Sequence, residues 1–204
     1  MYPKVRAARV AGAWYLLLVI TGISSMVVPS NTASAVGEVG IILGLIANVV
    51  YIFLARALYV LLKGVNKTHA LLMVAFVLVS VGISTLDGLN KFAALFNQGE
   101  LDALTMVLNG FLFGFWLLPF GVLVYRSHFI PRIFGILLII NGFAYPANTL
   151  VPLIKPPFAN VISLALLPPI FVGELSILAW LLVKGARVES LDTIGATASS
   201  ISPG

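Results

Sequence analysis

The feature that most constrains this chain is a series of six apolar stretches, each about 20 residues or longer. The hydrocarbon core of a bilayer is about 30 Å thick, and about 20 helical residues are enough to cross it. None of the stretches alternates polar and apolar residues as a strand of a membrane β-barrel does. The sequence therefore predicts an all-α polytopic membrane protein with six transmembrane helices in sequential antiparallel hairpins, at about residues 10–28, 36–62, 70–89, 101–124, 132–151 and 158–183.

Composition identifies the lipid bilayer as the solvent and leaves no room for a large soluble domain. Of the 204 residues, 60% are hydrophobic and 9% are charged, far from the balance of a water-soluble domain. We expect one transmembrane domain over residues 1–188 and a disordered cytoplasmic tail over residues 189–204, which are rich in Ser, Thr and Gly. The net charge of +5 does not predict nucleic-acid binding, because the basic residues flank apolar stretches, where they orient helices.

The distribution of Lys and Arg predicts the side of the membrane on which each loop lies. Basic residues resist translocation, so the short loops that carry them stay in the cytoplasm. One side of the predicted topology carries Lys4, Arg6, Arg9, Lys63, Lys67, Arg126, Arg132, Lys184 and Arg187. The other side carries Lys155, Glu38, Glu100, Asp102 and, at a helix margin, Lys91. We therefore expect both termini in the cytoplasm.

Two further patterns concern the arrangement of the helices. Glycines four residues apart, Gly40 with Gly44 and Gly110 with Gly114, allow helix backbones to approach closely. We expect these pairs to pack within the chain. Whether the protein also forms a homo-oligomer remains an open question.

Segments 9–64 and 132–185 begin and end with similar residues. This similarity indicates either a parallel repeat of a two-helix unit or convergence on the aromatic and basic residues that helix ends require.

Glu174 is the most informative polar residue within the predicted helices. It precedes Lys184 by ten positions, which at 1.5 Å per residue places it about 15 Å from the cytoplasmic interface, near the midplane. An isolated carboxylate is costly there, so we expect the side chain to be protonated, paired or hydrated. We expect it to face the bundle interior within reach of Arg56, Asn141 or Asn48. Arg56 has the alternative of extending to the cytoplasmic surface.

Other polar residues recur at spacings that place them on shared helix faces. The third predicted helix carries Ser80, Ser84, Asp87 and Lys91, the fifth carries Asn141, Tyr145 and Asn148, and the sixth carries Asn160 and Ser163. The second and fourth helices add Asn48, Tyr51 and Asn109. Two interpretations remain open. The three stripes line an outward-facing vestibule that narrows toward Glu174, with Asp87 and Lys91 paired at its rim, or they form a seam of hydrogen-bonded helices without a cavity.

No pattern in the sequence predicts a cofactor. His69 and His128 fall at cytoplasmic helix ends and the chain has no cysteine, so neither haem nor zinc is expected within the bilayer. Glycine-rich nucleotide-binding motifs and a GxSxG nucleophile motif are also missing from the sequence.

Four segments of the chain are distinctive: RVAGAWYL at 9–16, ALYVLLKGVN at 57–66, YRSHFIPRIFG at 125–135 and ELSILAWLLVKG at 174–185. Together they resemble a bacterial integral membrane protein family catalogued as a domain of unknown function, number 4386 of that series. The resemblance implies a multi-pass protein of a prokaryotic plasma (inner) membrane and is consistent with six helices. It implies no activity.

Three functional hypotheses follow from these residues. In the first, the protein binds or transports a small amphipathic or cationic molecule through a vestibule ending near Glu174. The candidate ligand-binding residues are then Glu174, Arg56, Asn48, Tyr51, Asn141, Tyr145, Asn148, Asp87, Lys91 and Ser84. In the second, the chain is a structural or partner subunit whose polar residues only join helices. In the third, it is an intramembrane enzyme that uses Glu174 as an acid or base, although no nucleophile or metal-ligand set accompanies that residue.

Overall fold

The computed structural model describes residues 3–28, 35–94, 102–154 and 158–185, and these contain seven α-helices and no strand. The helices are α1 (Pro3–Val27), α2 (Ala35–Leu62), α3 (Lys67–Ala94), α4 (Asp102–Phe115), α5 (Leu117–Arg126), α6 (Arg132–Ile154) and α7 (Ala159–Val183). Six segments are long and apolar enough to cross a membrane, because α4 and α5 together form one of them. The predicted all-α class with six spans is confirmed. The predicted tail at 189–204 lies outside the described residues.

The fourth span is divided at Trp116 because a proline follows three residues later. Pro119 has no N–H group, so the carbonyl of Phe115 loses its helical partner. Trp116 nevertheless keeps helical backbone angles, φ −65° and ψ −25°. Backbone hydrogen bonds from Trp116 N to Leu112 O and from Phe120 N to Trp116 O measure 3.2 and 3.3 Å. The chain therefore crosses as one span with a local interruption.

Two helices begin earlier than their apolar stretches predict. α1 starts at Pro3, and the fixed φ of proline suits the first turn of a helix. α3 starts at Lys67, because Asn66 Oδ1 accepts a hydrogen bond from the backbone N–H of His69 at 3.0 Å and so caps the helix. Hydropathy did not predict these first turns because they are polar.

The helices form a closed ring in which each contacts the next in sequence and α7 returns to α1. Trp116, Phe120 and Leu54 are fully buried inside this ring. Val27 and Phe143 are among the large apolar side chains that stay exposed on the outside, as expected for a bundle surrounded by lipid. The predicted antiparallel hairpins and two-helix repeat stay predictions.

Glycines allow the fourth span to lie directly against α6. A Cβ added at Gly110 would overlap the Thr149 side chain. A Cβ added at Gly114 would overlap Pro146. This pair therefore packs within the chain, as predicted. A Cβ at Gly44 would meet no atom within 4 Å, so the predicted close approach does not occur at that glycine.

A tight turn at His128 determines where α6 begins. His128 has a positive φ of 56°, and the backbone N–H of Phe129 donates to Ser127 O at 2.7 Å. The Ser127 hydroxyl donates to Val124 O at 2.8 Å and accepts from Ile130 N at 3.3 Å. These local bonds join the end of α5 to the buried Ile130 and so orient α6 against the fourth span.

Candidate functional site

Glu174 lies inside the helix ring, on the face of α7 that also buries Gly173 and Ile177. Its side chain is only 9% exposed. Oε2 accepts a hydrogen bond from the Tyr15 hydroxyl of α1 at 2.9 Å, and Oε1 accepts one from the Tyr145 hydroxyl of α6 at 2.5 Å. The carboxyl therefore connects three helices through two phenols.

Glu174 faces the bundle interior, as predicted. The three residues predicted to bond to it, Arg56, Asn141 and Asn48, are wrong, because its carboxyl bonds to Tyr15 and Tyr145. Arg56 is exposed, because Tyr51 and neighbouring apolar residues take the inward face of α2. Asn141 and Asn48 make hydrogen bonds to other groups. Hydropathy gives the depth of a residue, whereas the rotation of each helix about its axis determines which residues meet.

Tyr15 is the functional candidate that the sequence analysis missed. It is fully buried and lies six residues beyond Arg9, the last basic residue before the first span, or about 9 Å along the helix. In sequence it therefore resembles an interfacial aromatic residue, and only its burial places it inside the bundle. The sequence carries no signal that separates the two cases, because the rotation of α1 about its axis decides which of its residues face inward.

Aromatic side chains form a closed circuit of contacts with Glu174. We call this circuit the Glu174 ring, and its members are Glu174, Tyr15, Trp116, Tyr51, Phe113 and Tyr145. Ring centroids lie 6.3 Å apart for Tyr15 and Trp116 and 5.4 Å apart for Trp116 and Tyr51. They lie 5.6 Å apart for Tyr51 and Phe113 and 5.2 Å apart for Phe113 and Tyr145. All four pairs are tilted or edge-to-face, the geometries that aromatic quadrupoles favour.

Three buried polar atoms at or beside the Glu174 ring have no hydrogen-bond partner among the described residues. They are the Tyr51 hydroxyl, Trp116 Nε1 and Asn141 Oδ1. Asn141 is held by its amide nitrogen, which donates to Ile170 O of α7 at 2.9 Å. Tyr51 lies between Trp116 and Phe113 in the Glu174 ring. Since an unpaired buried polar group costs about 1–3 kcal/mol, we expect water or a ligand to bind these atoms.

A second polar layer lies about one helical turn from the Glu174 ring. Asn48 of α2 donates to the Thr85 hydroxyl of α3 at 3.1 Å. The Ser84 hydroxyl donates to Asn109 Oδ1 of α4 at 3.0 Å. Asn148 of α6 contributes a buried Oδ1 that has no partner in the described part of the chain. In the predicted orientation this layer lies on the side of the ring away from the cytoplasm.

These bonds show that parts of the predicted stripes are hydrogen-bonded seams between helices. Ser84 of the α3 stripe bonds to Asn109 of α4, whereas Asn141 and Tyr145 of the α6 stripe bond to α7. Asp87 and Lys91 form a salt bridge of 2.8 Å, as predicted. Asn160 is exposed and Ser163 partly exposed, and within the described ranges neither bonds to the other stripes. A vestibule lined by all three stripes stays a prediction.

The fold and the buried cluster define the class of the protein, which is a polytopic α-helical membrane protein with a hydrogen-bonded carboxyl inside its bundle. Within that class the chain belongs to DUF4386, a domain-of-unknown-function family whose sequence profile matches residues 10–185. An uncharacterized protein of Archaeoglobus fulgidus is 32% identical over 156 residues, covering 75% of this chain and 86% of the relative. Because that relative is archaeal, a bacterial source of this chain stays a prediction. No solved structure matches the chain.

Proposed function

We propose that this membrane protein binds a small cationic molecule, or an amphipathic molecule with a cationic group, at Glu174. The proposal rests on a buried carboxyl and on unpaired polar atoms in and beside the Glu174 ring, which have no partner among the described residues. Ionisable residues are expensive inside a membrane and commonly mark ligand or ion pathways there.

The chemistry around Glu174 favours a cation over an anion. Both side chains that bond to the carboxyl are phenols, and no Lys or Arg in the described ranges bonds to it. A bound cation would supply the positive charge that a buried carboxylate needs. Trp116 and Tyr51 provide aromatic rings for cation–π contacts. Asn141 Oδ1 is an acceptor with no partner in the described part of the chain.

We further propose that the site opens away from the cytoplasm and that both termini lie in the cytoplasm of a prokaryotic cell. The second polar layer supports this direction, because it lies on the side of the Glu174 ring opposite most of the basic residues. Transport, as distinct from binding, requires in addition that the ligand leave toward the cytoplasm.

The second candidate function is a structural or partner subunit without a ligand. The observation that favours it is the pairing of Asn48 with Thr85 and of Ser84 with Asn109, since such bonds join helices without any ligand. For this function Glu174→Gln would be silent and Glu174→Leu would chiefly lower stability. The third hypothesis, an enzyme that uses Glu174 as an acid or base, is not proposed, because no contact of Glu174 favours it over binding.

The test uses Trp116 as the reporter, because it belongs to the Glu174 ring. The chain has three tryptophans, so Trp14→Phe and Trp180→Phe together leave Trp116 alone. The purified protein is titrated in detergent with primary to quaternary alkylammonium ions while Trp116 emission is recorded. We expect a saturable change in emission for at least one member of the series, because a bound cation alters the field at the indole.

Two glutamate variants in this reporter background decide the result. Glu174→Gln keeps the size of the side chain and removes its charge, and we expect the affinity to fall by about 30-fold or more, equivalent to about 2 kcal/mol. Glu38→Gln makes the same change at an exposed residue of α2 and is expected to bind as before. If both variants bind the alkylammonium ions with equal affinity, or if Trp116 emission shows no saturable response, the structural-subunit function is favoured.

A further inference from the structure

A separate groove lies between α1 and α2, on the outside of the helix ring. Its volume is about 510 Å³, and its walls include Arg6, Val10, Trp14, Phe53, Arg56 and Val60. On each helix these residues recur every three or four positions, so each helix contributes one continuous face. The groove therefore follows the two helices and is apolar apart from its two arginines.

The arginines of the groove differ from nearby basic residues in having no partner among the described residues. Arg9 reaches the carbonyl end of α7, and Lys4 lies over the Phe129 ring, 5.5 Å from its centroid. Across the described ranges, Arg6 and Arg56 make no hydrogen bond, salt bridge or ring contact. Two guanidinium groups beside an apolar surface thus remain available to an anion.

The groove has a charged end and an apolar end. Trp14 follows Arg6 by eight residues, or about 12 Å along α1. Trp14 stacks on Phe53 with centroids 4.8 Å apart and planes 14° apart, which closes the deeper end. Arg56 lies one turn from Phe53, and an arginine side chain is long enough to extend its guanidinium toward the surface. A ligand that fills this groove must combine an anionic head with an apolar chain.

We propose that this groove binds an anionic phospholipid. The phosphate lies between the guanidinium groups of Arg6 and Arg56, and one acyl chain follows the apolar face as far as Trp14. Guanidinium groups pair with phosphate oxygens through two parallel hydrogen bonds, which favours a phosphate head. A zwitterionic lipid brings a cationic amine beside its phosphate, which two neighbouring arginines disfavour. The site is separate from Glu174 and does not depend on the function proposed for that residue.

The experiment measures which lipid reaches Trp14. Full-length protein is reconstituted in phosphatidylcholine vesicles that contain increasing fractions of either acyl-brominated phosphatidylglycerol or acyl-brominated phosphatidylcholine, since bromine quenches a tryptophan it contacts. The quenching of Trp14 is the difference between the wild type and Trp14→Phe. We expect brominated phosphatidylglycerol to quench at a several-fold lower mole fraction than brominated phosphatidylcholine.

A matched pair of double variants tests the arginines. Arg6→Gln with Arg56→Gln should lower the relative affinity for phosphatidylglycerol by about tenfold or more, because a basic residue near an anionic lipid contributes about fivefold. Lys67→Gln with Arg126→Gln removes the same charge from exposed positions outside the groove and should change that affinity less than twofold. Retained helical circular dichroism and elution volume show that each variant is folded.

Three results would overturn the proposal. Equal loss of selectivity in both double variants would mean that general surface charge attracts the lipid. Equal quenching by both brominated lipids in the wild type would mean that the groove does not select a headgroup. Protection of Trp14 from both lipids, with self-association of the protein, would mean that a second copy covers the groove. If a variant fails to fold, the wild-type comparison of the two lipids still decides headgroup selection.

Discussion

Replacing Gly173 with alanine tests whether the contact between α7 and α6 at the Glu174 ring is as close as the structure shows. A Cβ at this position would lie 2.8 Å from the Asn141 Cγ and closer still to its amide nitrogen. That nitrogen donates to Ile170 O at 2.9 Å. The added methyl group must therefore push the Asn141 amide away and break this hydrogen bond. Gly44→Ala makes the same substitution where no atom lies within 4 Å of the added Cβ.

The expected change in the free energy of unfolding has opposite signs at the two glycines. Alanine favours a helix over glycine by about 1 kcal/mol, and Gly44→Ala should gain up to that amount. At Gly173 the same gain is opposed by overpacking of about 1–3 kcal/mol and by the loss of a hydrogen bond worth about 0.5–1.5 kcal/mol. The net loss is about 2 kcal/mol, because the two costs together, about 3 kcal/mol, exceed the helix gain of about 1 kcal/mol.

Thermal stability in detergent measures the difference. Each variant is heated in steps, and the fraction that still elutes as the folded protein is recorded by size-exclusion chromatography. For a chain of this length about 1 kcal/mol corresponds to about 2–4 °C. We therefore expect Gly173→Ala to lose about 4–8 °C and Gly44→Ala to gain up to about 4 °C. If Gly173→Ala is as stable as the wild type, the packing of Asn141 on α7 described here is incorrect.

Two further predictions concern the carboxyl and the topology. Tyr145→Phe and Tyr15→Phe each remove the donor to one oxygen of Glu174, and each should lower stability by about 1–2 kcal/mol. In a double-mutant cycle, the stability lost by either tyrosine variant should not add to the stability lost by Glu174→Leu. Additive losses would contradict the hydrogen bonds between these tyrosines and Glu174. A reporter active only in the cytoplasm should give signal after Gly64, Ser127 or Gly204 and none after Ser30, Gly99 or Pro156. Reversal at any two of these six sites would reject the orientation.

The sequence predicts how deep in the membrane the residues of the candidate site lie. It predicts only part of the contacts that these residues make with one another. Polar groups deep in an apolar helix need a partner, which indicates Glu174, Tyr51 and Tyr145 as site residues. The structure brings these three together in the Glu174 ring. The same reasoning indicates Arg56, which lies on the outside of the bundle. It does not indicate Tyr15, because a tyrosine in the first helix resembles the interfacial aromatic residues that many membrane helices carry.

The sequence by itself determined what depends on local chemistry. Six apolar stretches specify six spans, because in lipid each helix must satisfy its own backbone hydrogen bonds and the length of the stretch determines whether it crosses. The pairing of Asp87 with Lys91 also follows from spacing alone, since residues four apart share a helix face.

Only the tertiary structure decided which faces of the helices meet. α7 is apolar around nearly its whole circumference, so its lipid-facing and buried sides look alike in sequence. The contact of Tyr15 with Glu174 joins residues 159 positions apart. It exists because the closed ring of helices returns α7 to α1 and rotates both inward, which no local pattern encodes.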